Sequence, residues 1–207
     1  HAQAMQPATR DTVRGNFAGA TFRKGGVTTR FFERDGRFFV NTDGPDGRLA
    51  DYEIKYTFGV EPLQQYLVEL PGGRMQALSV AWDTKAKRWF HTYPGERIDH
   101  RDVLHWTRTS QNWNTMCASC HALQVRKNYD AAADAYRTTF AAVGVGCQSC
   151  HGPASGHVAW AQGGKRGDVP RRGFDAAVGA GSGRVQVDAC AYCHALRSTL
   201  TPEFPVG

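Results

Sequence analysis

The chain has 207 residues, of which 41% are hydrophobic and 21% are charged, a balance typical of a globular protein. No apolar run approaches the roughly 20 residues that cross a bilayer, so we expect no membrane span in this chain. A net charge of +6 could indicate nucleic-acid binding. Because the basic residues are spread along the sequence, we expect no nucleic-acid partner.

Residues 17–100 have the pattern of short β-strands separated by turns. An early segment, RFFERDGRFFV, has aromatic runs on both sides of Asp35-Gly36, which is typical of a type I′ hairpin. Four further runs follow: DYEIKYTFG, QQYLVEL, GRMQALSVAWD and KRWFHTYP. We predict a small antiparallel sheet whose core contains most of the phenylalanines together with Tyr52, Tyr56, Tyr66, Trp82 and Trp89.

From residue 101 the pattern favours helices and loops. The sequence predicts a helix in RDVLHWTRTSQNWNTMCASCHALQVRKNYD and a weaker one in YDAAADAYRTTFAAVG. Residues 152–183 are predicted as loop with a short helix near His157–Ala161, and DACAYCHALRS as a last helix. We therefore predict an N-terminal arm (1–16), a β-rich segment (17–100) and a helical and loop segment (101–207) that carries the motifs described next.

All six cysteines fall in three Cys-x-x-Cys pairs, each followed at once by histidine. These motifs are Cys117 and Cys120 with His121, Cys147 and Cys150 with His151, and Cys190 and Cys193 with His194. Cys-x-x-Cys-His is the attachment signature of haem c, in which both thiols bond to the porphyrin and the imidazole binds iron. The sequence therefore predicts three covalent haem c groups, whose propionates would offset most of the positive charge.

Three other interpretations explain less of this pattern. A zinc ribbon and a redox-active dithiol use Cys-x-x-Cys without a following histidine, and a disulfide framework requires no histidine at all. With 8 histidines in 207 residues, three such histidines would arise by chance roughly 6 times in 100,000.

Five histidines remain for the distal side of the irons. His105 lies in the apolar context LHW, and His157 lies six residues after His151, so we expect both to bind iron. His91 lies in the strand segment WFHTY, where iron ligation and a hydrogen-bonded core position both stay open. His100 lies between charged residues, which favours an exposed position.

Several longer segments resemble a known family. These are AMQPATRDTVRGNF, YTFGVEPLQQYLVELPGGRMQALSVAWD, RWFHTYP, QNWNTMCASCH, RKNYD, GVGCQSCHGPASGHV and CAYCHALRS. They are similar to the multihaem cytochromes c in which a haem module precedes tetratricopeptide repeats. The resemblance implies an exported bacterial protein, periplasmic or extracellular, with largely bis-histidine haems.

The same resemblance gives His1 a role as a distal ligand, because the family has a histidine shortly before the AM of HAQAM. The chain departs from the family in two ways. It lacks the Cys-x-x-Cys-His motif that precedes this histidine in the family, and it stops at TPEFPVG, about where the repeats would begin.

We expect an α+β fold in which the small antiparallel β-rich segment packs on a helical and loop multihaem module. The expected function is electron transfer between redox partner proteins, including other multihaem cytochromes. Two alternatives stay open: a haem redox enzyme with one open iron that acts on nitrite, hydroxylamine or peroxide, and a self-associating subunit of a haem-bearing polymer.

Overall fold

The computed structural model describes residues 1–176, 178–179 and 182–195. These residues form two compact units: the β unit, Ala2–Gly144, and the C-terminal unit, which is His1 with the described residues from Val145 onward. The first Cys-x-x-Cys-His motif thus groups with the strands, and the other two lie in the C-terminal unit. The division into arm, β-rich segment and haem module stays a prediction. None of the helices in the described ranges is long and apolar enough to cross a membrane.

An antiparallel sheet dominates the β unit. Seven strands neighbour one another in the order β2-β3-β4-β5-β6-β8-β9, while β1 pairs with β5 and β7 pairs with β6. The two end strands, β2 and β9, contact each other, so the sheet is barrel-like and nearly closed. The strands are β1 (Met5–Pro7), β2 (Ala18–Lys24), β3 (Val27–Arg34), β4 (Arg37–Asp43), β5 (Leu49–Phe58), β6 (Leu63–Leu70), β7 (Arg74–Ala77), β8 (Val80–Asp83) and β9 (Arg88–His91).

The hairpin predicted at Asp35-Gly36 is confirmed. Arg34 of β3 pairs with Arg37 of β4, and the two residues between them have φ of 52° and 72°. Positive φ at both central positions is what a type I′ turn requires, and an aspartate followed by glycine supplies it at low cost.

Aromatic side chains fill the inside of this sheet, as the sequence predicts, but the described residues bury only four phenylalanines, and Tyr52 and Tyr56 are half-buried. Phe31 and Trp89 stack with ring centres 3.5 Å apart, and Phe17 meets both edge-on. Tyr66 and Trp82 are also buried there. Aromatic pairs of this kind add about 0.5–1.5 kcal/mol beyond the burial of their area. A second apolar cluster lies beside the first motif and contains Met5, Leu67, Ala77, Trp113, Ala118 and Ala122.

The expected α+β fold with a helical multihaem module is wrong, because the described chain is mainly β. Two further two-stranded sheets pair β10 (Ala122–Leu123) with β13 (Ala142–Val143) and β11 (Tyr129–Asp130) with β12 (Ala135–Tyr136). Within the described residues the α-helices are five and short: α1 (Trp113–Met116), α2 (Ala118–His121), α3 (Cys147–His151), α4 (Ser155–Gln162) and α5 (Gly183–His194).

Tertiary contacts and local turns replace the two helices predicted between residues 101 and 144. Trp106 is drawn into the sheet core, where its indole Nε1 donates to the Asp43 carbonyl at 2.8 Å. The Asp130 carboxylate accepts from the backbone N–H groups of Ala132 and Ala133, which starts a turn instead of a helix. The helices predicted near residues 157–161 and in DACAYCH are confirmed as α4 and α5, whereas the end of DACAYCHALRS lies outside the described residues.

Candidate functional site

All three Cys-x-x-Cys-His motifs lie on helices. Cys117 caps the N-terminus of α2, whose last residue is His121. The second motif spans α3 from Cys147 to His151, and the third forms the end of α5. Residues at i, i+3 and i+4 of a helix share one face, so in α3 and α5 each pair of thiols lies on the same side as the following imidazole. Cys117 of the first motif precedes α2 and has φ of −128°.

The six predicted attachment cysteines differ in exposure. The second cysteine of every motif is partly buried, and these are Cys120 in α2, Cys150 in α3 and Cys193 in α5. The first cysteine is exposed in two motifs, at Cys147 and Cys190. Cys117 is the partly buried exception, and burial with Cys120 nearby raises the pKa of its thiol to about 11. The structure therefore brings each predicted pair onto one helix, while the bonding of haem to Cys120, Cys150, Cys193 and their partners stays a prediction.

The first motif is anchored to the sheet by side-chain amides. Asn112 caps α1 by accepting from the Thr115 N–H at 3.2 Å, and its own amide donates to Gln76 Oε1 at 2.8 Å. Asn114 Oδ1 accepts from the Met75 N–H at 2.8 Å. These buried bonds join α1, and through it the first motif, to β7.

A backbone hydrogen bond fixes the orientation of the His121 ring. Its Nδ1 lies 2.9 Å from the carbonyl oxygen of Ala4. A carbonyl can only accept, so Nδ1 carries the hydrogen and Nε2 keeps a free lone pair. Ligand histidines in metalloproteins are commonly held by such a bond from the other ring nitrogen. Burial lowers the pKa of His121, which favours the neutral ring that binds metals. The Phe58 ring lies against it, with centres 4.0 Å apart.

A buried donor beside the first motif also lacks an acceptor. Trp113 is 1% exposed, and its Nε1 has no hydrogen-bond partner among the described residues. It belongs to the same apolar cluster as the half-buried Cys117. The indole N–H groups of Trp82 and Trp89, in the core of the sheet, also have no partner among the described residues. The fit to haem c rests on the donor set of the first motif, which offers two thiols and an imidazole with an available Nε2.

In the C-terminal unit, His157 is held in the same way as His121. Its Nδ1 lies 2.9 Å from the carbonyl of Arg172, so Nε2 is again the free nitrogen. Phe174 stacks on the His157 ring, with centres 4.0 Å apart and planes 17° apart, and also contacts the His151 ring at 5.0 Å. We call Arg172 and Phe174 the His157 clamp.

The clamp depends on a close approach of two glycines. A Cβ on Gly156 would lie 2.7 Å from the carbonyl oxygen of Gly173, and one on Gly173 would lie 2.5 Å from Gly156 backbone atoms. Only two residues without side chains allow α4 and the 3₁₀ turn at Pro170–Gly173 to pack this closely.

His1 and His194 come together in the C-terminal unit. Their ring centres are 5.9 Å apart and their planes are 78° apart. Two imidazoles that share one metal ion have ring centres roughly 6 Å apart, because each metal–nitrogen bond is about 2 Å. The His1 carbonyl also accepts from the Val145 N–H at 3.3 Å, which ties the residue to this unit.

His105 and His91 lie in the β unit and line the same small cavity, together with apolar residues such as Leu78 and Val80. His105 is 5% exposed, and both its ring nitrogens have partners: Asp43 Oδ2 at 3.1 Å and Thr107 Oγ1 at 2.8 Å. His91 Nδ1 accepts from the Tyr93 N–H at 3.0 Å, so the neutral ring carries its hydrogen on Nε2. These bonds favour a structural role, and iron ligation by either residue stays a prediction.

Sequence reasoning missed the groups that orient the ligands. The Ala4 and Arg172 carbonyls carry no sequence signal, since every residue has a carbonyl. Phe174 lies in a segment that the sequence predicts as loop, and nothing in its neighbours along the chain marks it. In the part of the chain that the structure describes, no three His, Cys, Asp or Glu side chains group as a metal-ion site.

No protein-family model matches the chain, and neither does any curated protein. A solved structure that matches is that of the outer cell wall cytochrome OcwA, with 23% identity and a TM-score of 0.39. The match covers 53% of this chain and 22% of that one, so the chain spans about a fifth of that cytochrome's length. The chain is thus distantly similar to one cytochrome. A likeness at this level carries no argument about function, and membership of the family with tetratricopeptide repeats stays a hypothesis.

Proposed function

We propose that this chain transfers electrons through three covalently attached haem c groups, bound at Cys117 and Cys120, at Cys147 and Cys150, and at Cys190 and Cys193. The observation that carries the proposal is that each cysteine pair and its following histidine lie within about one helical turn, with Cys117 as the N-cap of α2 and the other five cysteines inside α2, α3 and α5. When bound, haem c supplies an iron that takes up and releases one electron.

The sequence motifs support the proposed proximal ligands, and hydrogen bonds and ring contacts support the proposed distal ones. His121, His151 and His194 are the proximal ligands, since each directly follows its cysteine pair. His157 and His1 are the distal ligands, because His157 presents a free Nε2 and His1 faces His194. A second imidazole on an iron excludes small substrates and keeps the ion low-spin, which suits electron transfer.

The number of histidines placed to act as distal ligands supports a second candidate function. His105 and His91 are engaged in hydrogen bonds, and His100 lies in a turn closed by the Asp102 N–H and the Asp99 carbonyl. Two well-placed distal histidines for three irons would leave one iron open. An open iron favours the redox enzyme that acts on nitrite, hydroxylamine or peroxide.

The proposal extends to location and partners. An exported protein, periplasmic or extracellular, fits covalent haem attachment and the resemblance to exported multihaem cytochromes. Its partners would be other redox proteins, including multihaem cytochromes, with self-association as a further route for electrons between copies.

Intact mass under denaturing and reducing conditions tests the haem count. We expect the polypeptide mass plus three haems. Replacing both cysteines of one motif by alanine should remove one haem, in each of the three motifs. The control Ser119→Ala, inside the first motif, should keep all three. A mass without haem would contradict the proposal.

Electron paramagnetic resonance of the oxidised protein tests the ligands and separates the two functions. We expect low-spin signals from the two irons assigned to His1 and His157, and each signal should change to high-spin when its histidine is replaced by alanine. His105→Phe and His91→Phe should keep the wild-type signal. A high-spin iron in the wild type, with sustained turnover of one small substrate, would favour the enzyme.

A further inference from the structure

The segment from Lys165 to Phe174 carries four exposed basic side chains and also contacts His157, the proposed iron ligand. We propose that it is the docking site for the acidic face of a redox partner protein. This inference rests on the proposed function, because it assigns the surface through which electrons reach the His157 iron.

The charge of the segment is one-sided and unpaired. Its cations are Lys165, Arg166, Arg171 and Arg172, all exposed, against the single carboxylate of Asp168. Within the described residues, none of the four has a carboxylate oxygen at ion-pair distance. Such a surface attracts an acidic partner, with little competition from its own acids.

The shape of the segment is fixed although it lies on the surface. Lys165, Arg171 and Arg172 have φ of 59°, 50° and 54°, a left-handed conformation that other contacts must hold in place. The Arg172 N–H donates to the Val169 carbonyl at 2.9 Å, and the Phe174 N–H donates to the Arg171 carbonyl at 3.1 Å. With the glycine contact to α4, these bonds hold the backbone that carries Arg171 and Arg172, so a partner has only their side chains to order on binding.

The same backbone reaches the candidate iron ligand directly. The Arg172 carbonyl accepts from His157 Nδ1, and Phe174 stacks on the His157 ring. A partner that contacts the Arg172 side chain would therefore be connected to the His157 imidazole through the Arg172 backbone and a single hydrogen bond. That connection favours a redox protein over nucleic acid or a membrane as the occupant.

Three asparagine substitutions remove the charge but keep the backbone. Asparagine tolerates the left-handed conformation, so Lys165→Asn, Arg171→Asn and Arg172→Asn should preserve the segment. The matched control is Lys87→Asn, an exposed lysine of the β unit with φ of 54°. Reduced protein is mixed by stopped flow with oxidised plastocyanin, which is acidic, or with oxidised mitochondrial cytochrome c, which is basic.

At low ionic strength we expect the triple variant to react at least about tenfold more slowly with plastocyanin, and no more slowly with cytochrome c. The difference should vanish at high salt, and Lys87→Asn should change either rate by less than about twofold. Equal rates for the triple variant and the control would overturn the docking site. So would a triple variant that keeps its rates but loses binding to DNA or to phosphatidylglycerol vesicles. The haem count of each sample separates these outcomes from failure of the proposed function, which would show as missing haem.

Discussion

One added methyl group at Gly173 should release His157 from its clamp. Gly173 has φ of +80°, and a Cβ there would lie 2.5 Å from the Gly156 carbonyl group and 2.7 Å from the His157 nitrogen. Alanine in this conformation costs about 1–2 kcal/mol. Forcing the two segments apart adds about 1–3 kcal/mol. The bond from His157 to Arg172 contributes only about 1 kcal/mol, so it should break first.

Alanine substitutions at two further glycines distinguish the cost of the left-handed conformation from the cost of the close contact. Gly167 has the same φ of +80° but nothing within 4 Å of an added Cβ, so Gly167→Ala carries the conformational cost alone. Gly156 needs no positive φ, and alanine would otherwise favour its helix by about 1 kcal/mol over glycine. Because its Cβ would meet the Gly173 carbonyl at 2.7 Å, Gly156→Ala should be unfavourable through the contact alone.

Chemical denaturation and the spin state of the oxidised protein measure the outcome. We expect Gly173→Ala to lower the free energy of unfolding more than Gly167→Ala, and both Gly173→Ala and Gly156→Ala to raise the high-spin fraction. Gly167→Ala should keep the wild-type spin state. Equal losses of stability for Gly173→Ala and Gly167→Ala would refute the close approach. A high-spin signal from His157→Ala, but none from Gly156→Ala or Gly173→Ala, would refute the role of the clamp.

Three predictions concern the β unit. Asp43→Ala should lower the free energy of unfolding by about 1–3 kcal/mol, because the buried His105 loses its hydrogen-bond acceptor. The visible spectrum should stay unchanged. Loss of a low-spin signal would instead indicate that His105 binds iron. Burial, with Lys24 nearby, lowers the pKa of His91 from 6.5 to about 4. Between these two pH values His91 binds a proton in the unfolded chain but not in the folded one. The free energy of unfolding should therefore fall as the pH falls through that window. In urea titrations at several pH values, His91→Gln should flatten this slope, and an unchanged slope would contradict the assignment. Gln76→Ala should cost about 2 kcal/mol or more, because the Gln76 side chain bonds to Asn112 and to the Trp106 and Arg108 carbonyls. The control Gln65→Ala loses one bond, to the Leu78 carbonyl, and a loss as large as that of Gln76→Ala would argue against the anchoring role.

The sequence by itself determined the features that depend on neighbours along the chain. The Asp35-Gly36 turn follows from the conformational freedom of two adjacent residues, and the aromatic runs around it become paired strands. The three Cys-x-x-Cys-His motifs are likewise local, because their spacing places thiols and imidazole within about one helical turn wherever the helix lies. The helices α4 and α5 belong with them, since they formed where their local pattern placed them.

Only the tertiary structure decided what depends on distant partners. Of the helix predicted over residues 101–130 only the short α1 and α2 form, because burying Trp106 in the sheet and bonding Asn112 to Gln76 outweigh a weak local preference. The apolar neighbours of His105 could not reveal that Asp43, on β4, would meet its Nε2. For His157 and His121 the decisive partners are backbone carbonyls, which any residue provides, so only the path of the chain shows which nitrogen stays free.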